Sequence, residues 1–264
     1  MTKISNGMTN QGKYLKVAVS AANEAGKIFT KNFGKPKDVK KKGGDPRNLV
    51  TEIDLKIEKL IKNQIHKAFP AHCIMGEEMG WRENRALGAL RWYIDPIDGT
   101  SNYIQGLPLA CISIALWDGK GPLIGVIYNP ILKDMYTAVR GKGAFLNGKK
   151  IKVSGTKRLK EAFGCIGWVE REHGVKLFAK IIHVCRKVRG LASTALQTSM
   201  VGNSILDFYV TRDLHIWDFA AAILVVAEAG GTVTDLAGKP LSPKSQGVIA
   251  SNGKIHKELL KIIK

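Results

Sequence analysis

The sequence predicts an α/β protein, with an α+β N-terminal part over residues 1–153 and an α/β part over residues 154–264. Three observations predict it. Two amphipathic stretches of helical spacing open the chain, the segment from Cys111 to Val139 reads as strands, and beyond about residue 153 short apolar strands alternate with helical segments. A length of 264 residues suits one large or two modest domains with an ample core, and no internal repeat or long linker interrupts it.

Tyr14, Val17, Ala18, Ala21, Ala25, Ile28 and Phe29 share one helical face, which predicts a first helix over about residues 12–33. The lysine-rich stretch 35–44 (Lys35, Lys37, Lys40, Lys41, Lys42, then Gly43-Gly44) reads as an exposed loop or hairpin tip. Asn48 to Asp54 leads into a second helix with Ile57, Leu60, Ile61, Ile65 and Phe69 as its buried stripe, ended by Pro70. Cys73-Ile74-Met75 is a short strand that delivers Gly76-Glu77-Glu78, and Arg91-Trp92-Tyr93-Ile94 is another, followed by Asp95 and Asp98. Asp118-Gly119 and Asn147-Gly148 are hairpin turns. The later part is predicted as strand 163–168, helix 174–187, strand 205–210, helix 218–229, strand 247–251 and helix 254–263.

Forty-one Lys and Arg against 22 Asp and Glu give a net charge of +19, which favours anionic ligands: phosphorylated metabolites, nucleic acid or an acidic partner. Cys73, Cys111, Cys165 and Cys185 are scattered, without metal-ligand spacing, and read as reduced thiols of a cytoplasmic protein. The longest apolar run, Phe219 to Ala227, falls far short of the ~20 residues that span a bilayer. The first residues lack a signal-peptide apolar block, so no membrane association is expected.

Two stretches carry the chemistry. Asp95-Pro96-Ile97-Asp98-Gly99-Thr100-Ser101-Asn102-Tyr103 packs two carboxylates, a hydroxyl and a glycine into one turn. Trp217-Asp218-Phe219-Ala220-Ala221-Ala222, running on to Glu228-Ala229-Gly230-Gly231, sets a carboxylate at the mouth of an apolar helix. Acids gathered without matching bases repel one another. A multivalent cation relieves that repulsion, and oxygen ligands select Mg²⁺, Mn²⁺ or Ca²⁺ over zinc. Asp98, Asp218 and Asp54 also read as helix caps, a role compatible with ligation through the second oxygen. Gly99-Thr100-Ser101 suits a phosphate, because backbone N–H groups at a tight turn opening a helix bind anions. Thr100 is a candidate to orient a water, with Asp54 holding its hydroxyl or taking the proton. Glu78 reads as a supporting or solvent-facing acid, and His215 as packed or hydrogen-bonded rather than catalytic.

With Asn48-Leu49-Val50-Thr51-Glu52-Ile53-Asp54 and Gly76-Glu77-Glu78, these stretches occur in the order found in the inositol monophosphatase family of Mg²⁺-dependent, lithium-sensitive phosphatases, which the chain resembles from its first helix to its end. The resemblance implies a layered αβαβα sandwich and a homodimer. It implies that Glu77 and Asp95, with the Ile97 carbonyl, hold a first Mg²⁺, that Asp95, Asp98 and Asp218 hold a second, and that a third, looser ion sits near Glu77. It makes Asp54 and Thr100 the pair that activates water and Gly99 and Thr100 the phosphate cradle, with Lys42 on a loop that closes over the site.

The substrate is less legible. Where inositol-hydrolysing members carry an acid for ring hydroxyls, this chain has Thr211, followed by Arg212, whose guanidinium suits a second phosphate or carboxylate but also suits a plain surface position. Ala192-Ser193-Thr194 takes the place of the family's usual Gly-Ser/Thr-Ala substrate contacts. Inositol 1-phosphate is the first expectation. Fructose 1,6-bisphosphate, adenosine 3′,5′-bisphosphate, NADP⁺ and histidinol phosphate are alternatives. A non-enzymatic alternative, RNA or transcription-complex binding, rests on the charge and would be non-specific, since no aromatic-studded basic motif accompanies it.

Overall fold

The computed structural model describes residues 10–45, 49–82, 90–167 and 172–263. The N-terminal segment, Asn48 of the second motif and the end of the strand expected at 163–168 lie outside these. The helices are α1 (Asn10–Asn32), α2 (Glu52–Ala68), α3 (Thr100–Gln105), α4 (Glu172–Ile182), α5 (Thr194–Gly202), α6 (Ile216–Glu228) and α7 (His256–Ile263). The strands are β1 (Lys40–Lys41), β2 (Leu49–Val50), β3 (Cys73–Gly76), β4 (Gly80–Arg82), β5 (Arg91–Asp98), β6 (Cys111–Asp118), β7 (Gly121–Asn129) and β8 (Asp134–Val139), then β9 (Gly143–Leu146), β10 (Lys149–Lys150), β11 (Phe163–Ile166), β12 (Lys187–Arg189), β13 (Phe208–Arg212), β14 (Thr232–Thr234) and β15 (Gly247–Ser251).

The strands form an eight-stranded sheet, ordered β10-β9-β8-β7-β6-β5-β3-β4, a five-stranded sheet, ordered β12-β11-β13-β15-β14, and the small hairpin β1-β2. The lysine-rich stretch is thus a hairpin arm: Lys40 pairs with Val50 and Lys41 with Leu49. Among the described residues of the large sheet, only β3 and β5 run parallel. α1 and α2 cover one face of it, α5 and α6 fill the space between the two sheets, and α4 and α7 cover the outer face of the smaller sheet. The result is the expected αβαβα sandwich. Its middle core draws residues from both sides of position 153, from Tyr93 and Ala144 to Phe219 and Val248.

Local sequence explains these elements. Thr51 and Asp54 cap α2 reciprocally: the Thr51 hydroxyl accepts from Ile53 N–H, while Thr51 N–H and hydroxyl both donate to Asp54 Oδ2. Ile53, Ile57, Ile61 and Ile65 then form a fully buried stripe, each contributing about 1.5–3 kcal/mol. α6 is apolar all round because a sheet lies on either side of it. Its small residues let the large sheet approach: a Cβ on Gly125 would lie 2.5 Å from the Ala221 carbonyl oxygen. Asn147 and Gly148 both take positive φ, as a tight two-residue hairpin turn requires.

Several expectations shift. The helix expected at 174–187 stops at Ile182, because the chain must then extend to lay β12 beside β11. The strand expected at 205–210 lies at Phe208–Arg212. α5 was not anticipated: Ala195 to Gly202 are buried without a break, so no amphipathic period marks it. Asp95 and Asp98, expected just after their strand, lie within it. β5 continues to Asp98 with a register shift between the two acids, and Asp95 Oδ1 accepts the Ile97 N–H (3.0 Å) inside that irregularity. A bulge re-aims side chains, and here it turns both acids toward one cleft.

Candidate active site

The cleft encloses about 240 Å³ between the two sheets. Glu77 enters from the end of β3, Asp95, Ile97 and Asp98 from β5, Gly99, Thr100 and Ser101 from the start of α3, and Asp218 from the first turn of α6. Leu49, Ile166, Gly167, Gly190, Ala192, Ser193, Thr194, Tyr209 and Leu214 complete its wall. Gly99 is required at its position: φ is 85°, and a Cβ would lie 3.0 Å from the Leu109 oxygen and 3.1 Å from the Ala192 oxygen.

Each acid has a distinct setting. Asp98 is wrapped by the N-terminus of α5, accepting from the Ser193 hydroxyl (2.5 Å), Thr194 N–H (2.9 Å), Ala195 N–H (2.8 Å) and Leu196 N–H (3.4 Å), with the Cys111 thiol at 3.5 Å. It caps a helix, as expected, but the helix is α5 rather than its own. Burial raises its pKa, and these donors pull it back. Asp218 accepts the His215 N–H (2.7 Å), closing the first turn of α6. Burial, then repulsion from Glu77, pushes its pKa well up. Asp95 is pushed well up by burial and then by Glu77, Asp98 and Asp218. The Lys42 ammonium bridges Glu77 (2.7 Å) and Glu78 (2.5 Å). Burial works to lower the Lys42 pKa, but the two carboxylates outweigh it and hold it above its ordinary value. Glu78, half-withdrawn from solvent beside Glu77, is lifted to about 7. His215 stacks on Trp217, but it is exposed at the start of α6 rather than packed in the core, because it is the residue just before the helix and its side chain stays at the surface.

Asp54 gives both its contacts to Thr51 through Oδ2, and its buried Oδ1 has no hydrogen-bond partner. Burial lifts its pKa to about 6. The Thr100 hydroxyl donates to the Ile97 carbonyl (3.0 Å), so no hydrogen bond joins Asp54 to Thr100 among the described residues. Thr211 and Arg212 do not line the cleft. Thr211 is buried behind its wall, where a Cβ on Gly167 would lie 2.4 Å from the Thr211 hydroxyl and 2.6 Å from that of Tyr209. Arg212 faces grooves with Lys176 and Lys180 on one side and Asp213 and Asp235 on the other.

Sequence reasoning missed Tyr209, whose hydroxyl lies 3.1 Å from that of Thr194, and the apolar wall of Ile166 and Leu214. No motif marks them. The signal was Gly167 ending a strand, where a missing side chain leaves room for two hydroxyls.

Among the described residues no three of the acids converge as a closed metal cage. The donor set nonetheless fits Mg²⁺. The candidate donors are all oxygen, burial and then mutual repulsion raise the pKa values of Asp95 and Asp218, and an open site is what a phosphate and a water need for the remaining positions.

A model of the inositol monophosphatase family matches residues 10–264. The chain is 37% identical to the fructose-1,6-bisphosphatase/inositol-1-monophosphatase of Thermotoga maritima, covering 94% of this chain and 95% of that one. It is 34% identical to the Nus factor SuhB of Pseudomonas aeruginosa, over 94% and 95%. The solved Thermotoga maritima IMPase superposes with a TM-score of 0.88 at 35% identity, over 95% of this chain and 96% of that one. The chain therefore belongs to the inositol monophosphatase family, metal-dependent enzymes that generally use Mg²⁺, and is a phosphoric monoester hydrolase of small phosphorylated compounds.

Proposed function

We propose that this phosphatase acts on a phosphomonoester of a neutral polyol, inositol 1-phosphate first, and that it requires Mg²⁺. One observation carries the reading: the cleft sets four carboxylates against a wall of two hydroxyls, Thr194 and Tyr209, and apolar Ile166 and Leu214, with no cation among its described lining residues. The acidic side suits metal ions and a phosphate. The other side suits a hydroxyl-bearing leaving group and, among the described lining residues, presents no cation to a second phosphate.

Glu77, Asp95, the Ile97 carbonyl, Asp98 and Asp218 would hold two Mg²⁺ ions, with a third near Glu77, and Mn²⁺, with the same oxygen preference, would substitute. Bound there, the ions neutralise phosphate charge and make a nearby water easier to deprotonate. Asp54 supplies the base: its free Oδ1 and a pKa near 6 suit a proton acceptor at neutral pH. Thr100 aims the attacking water, and Gly99 and Ser101 receive phosphate oxygens. Ser193 and Thr194 hold Asp98 in place, and the Thr194 and Tyr209 hydroxyls orient the polyol. Lys42 occupies Glu77 as a resident cation that divalent ions displace.

Phosphate release from inositol 1-phosphate, fructose 1,6-bisphosphate, adenosine 3′,5′-bisphosphate, NADP⁺ and histidinol phosphate, with Mg²⁺ and with EDTA, tests this. The expected result is turnover of inositol 1-phosphate that EDTA abolishes and lithium inhibits. Faster turnover of a bisphosphate would overturn the polyol reading. Fructose 1,6-bisphosphate is the second reading, supported by the name of the Thermotoga relative.

A homodimer in the cytoplasm is the expected setting, in keeping with four cysteines that form no disulfide among the described residues. The charge of +19 and the SuhB relative support an additional RNA or transcription-complex role. Such binding would weaken steeply between about 50 and 200 mM salt, and no RNA affinity at low salt would remove it.

A further inference from the structure

The turn that carries Glu77 is held from behind by a buried ion pair outside every motif used above. Glu58 sits on α2, one turn after Asp54, and is fully buried. Its carboxylate accepts the backbone N–H groups of Glu78 (2.7 Å) and Met79 (3.0 Å) and pairs with the Lys62 ammonium (2.9 Å). Lys62, also buried, donates to the Gly80 carbonyl (2.6 Å). Gly76 makes room for this contact, since a Cβ there would lie 2.0 Å from Glu58 Oε1. Two side chains one helical turn apart therefore bind three successive residues directly after Glu77, the turn residues Glu78 and Met79 and the first residue of β4, Gly80.

A buried ion pair is seldom more stabilising than apolar packing of the same volume, so stability alone does not account for it. What it supplies is geometry. α2 presents Asp54 toward the acidic cluster and, four residues later, Glu58 toward the ligand turn, so the base and a metal ligand share one rigid support. We infer that Glu58 and Lys62 are positioning residues that fix the Glu77 carboxylate and thereby set the divalent-cation affinity of the cleft. The inference rests on reading Glu77 as a metal ligand.

The test compares the full-length protein with Glu58→Gln and with the double variant Glu58→Gln/Lys62→Met. Mn²⁺ binding is measured without substrate by calorimetry and electron paramagnetic resonance, alongside kcat across Mg²⁺ concentration. Removing an outer partner of a metal ligand weakens metal binding roughly 10–100-fold. Glu58→Gln is expected to fall in that range and to raise the Mg²⁺ concentration for half-maximal rate by the same factor, with kcat at saturating Mg²⁺ within about twofold. The double variant, which leaves no unpaired buried charge, is expected to recover thermal stability but not Mn²⁺ affinity, a split that a merely structural pair would not give. If Glu58→Gln does not fold, the double variant alone decides. Unchanged Mn²⁺ affinity in a folded variant overturns the inference. Absence of Mn²⁺ binding by the unaltered protein would overturn the metal reading itself.

Discussion

Ala192 is the residue where this chain departs from a glycine-bearing pattern, and the backbone shows what that costs. Its φ is 54°, in the left-handed region, immediately before Ser193 and the N-terminus of α5. An L-residue with a Cβ pays about 1–2 kcal/mol there, which glycine does not. Ala192→Gly should therefore raise stability by about 1 kcal/mol in urea denaturation, and a loss of stability would show that the Cβ packing outweighs the strain.

Asp54 gives a residue-level prediction with a definite sign. Its folded pKa of about 6 lies above the ordinary aspartate value, chiefly through burial, so between the two values the metal-free native state holds a proton that the unfolded chain releases. Stability from this group is greatest below pH 4 and is lost as pH rises toward 6 and beyond, by on the order of 3 kcal/mol. Urea denaturation in EDTA at pH 4.5 and 7.5 should show a smaller pH-dependent loss in Asp54→Asn than in the unaltered protein. Equal losses in the two would refute the assignment. The acids were legible in the sequence because an aspartate-rich turn has few other uses, and the support behind them was not. Glu58, Lys62 and Tyr209 reach the site through tertiary contacts across long stretches of chain, which local spacing cannot reveal.

At the level of elements, Asp98 and Asp218 look interchangeable in sequence and are not in structure. Asp98 ties β5 to α5 with charge-assisted bonds to four groups, whereas Asp218 makes one backbone contact within its own helix. Asp98→Asn should cost about 1–3 kcal/mol of stability as well as activity, since the amide presents a donor to backbone N–H groups. Asp218→Asn removes a half-buried charge that Glu77 repels, so in EDTA its melting temperature should hold or rise. Its turnover should fall by roughly 10²-fold or more. A matched melting temperature for the two variants would mean that α5 does not depend on Asp98. Periodicity made α1 and α2 legible, the long apolar run after Trp217-Asp218 made α6 so, and turn residues made the hairpins so. α5 escaped because it is buried throughout, and a helix without a polar face carries no period.

Across the whole molecule, the middle layer decides how the protein unfolds. α6 packs on β5 to β9 of the large sheet and on β14 and β15 of the small one, so neither sheet buries its inner face alone. A shared core of this kind predicts one cooperative transition: tryptophan fluorescence and far-ultraviolet circular dichroism should give coincident urea midpoints, even though Trp92 lies against α1 and α2 and Trp217 lies on α6. The proposed metal ligands cross the same boundary, with Glu77, Asp95 and Asp98 on one side of position 153 and Asp218 on the other. Mg²⁺ at about 100 times its Kd should then stabilise the whole chain by about 2.7 kcal/mol and move both signals together. Two separated midpoints, with Mg²⁺ shifting only the earlier or the later, would mean that the halves fold independently and that the cleft forms only when they dock.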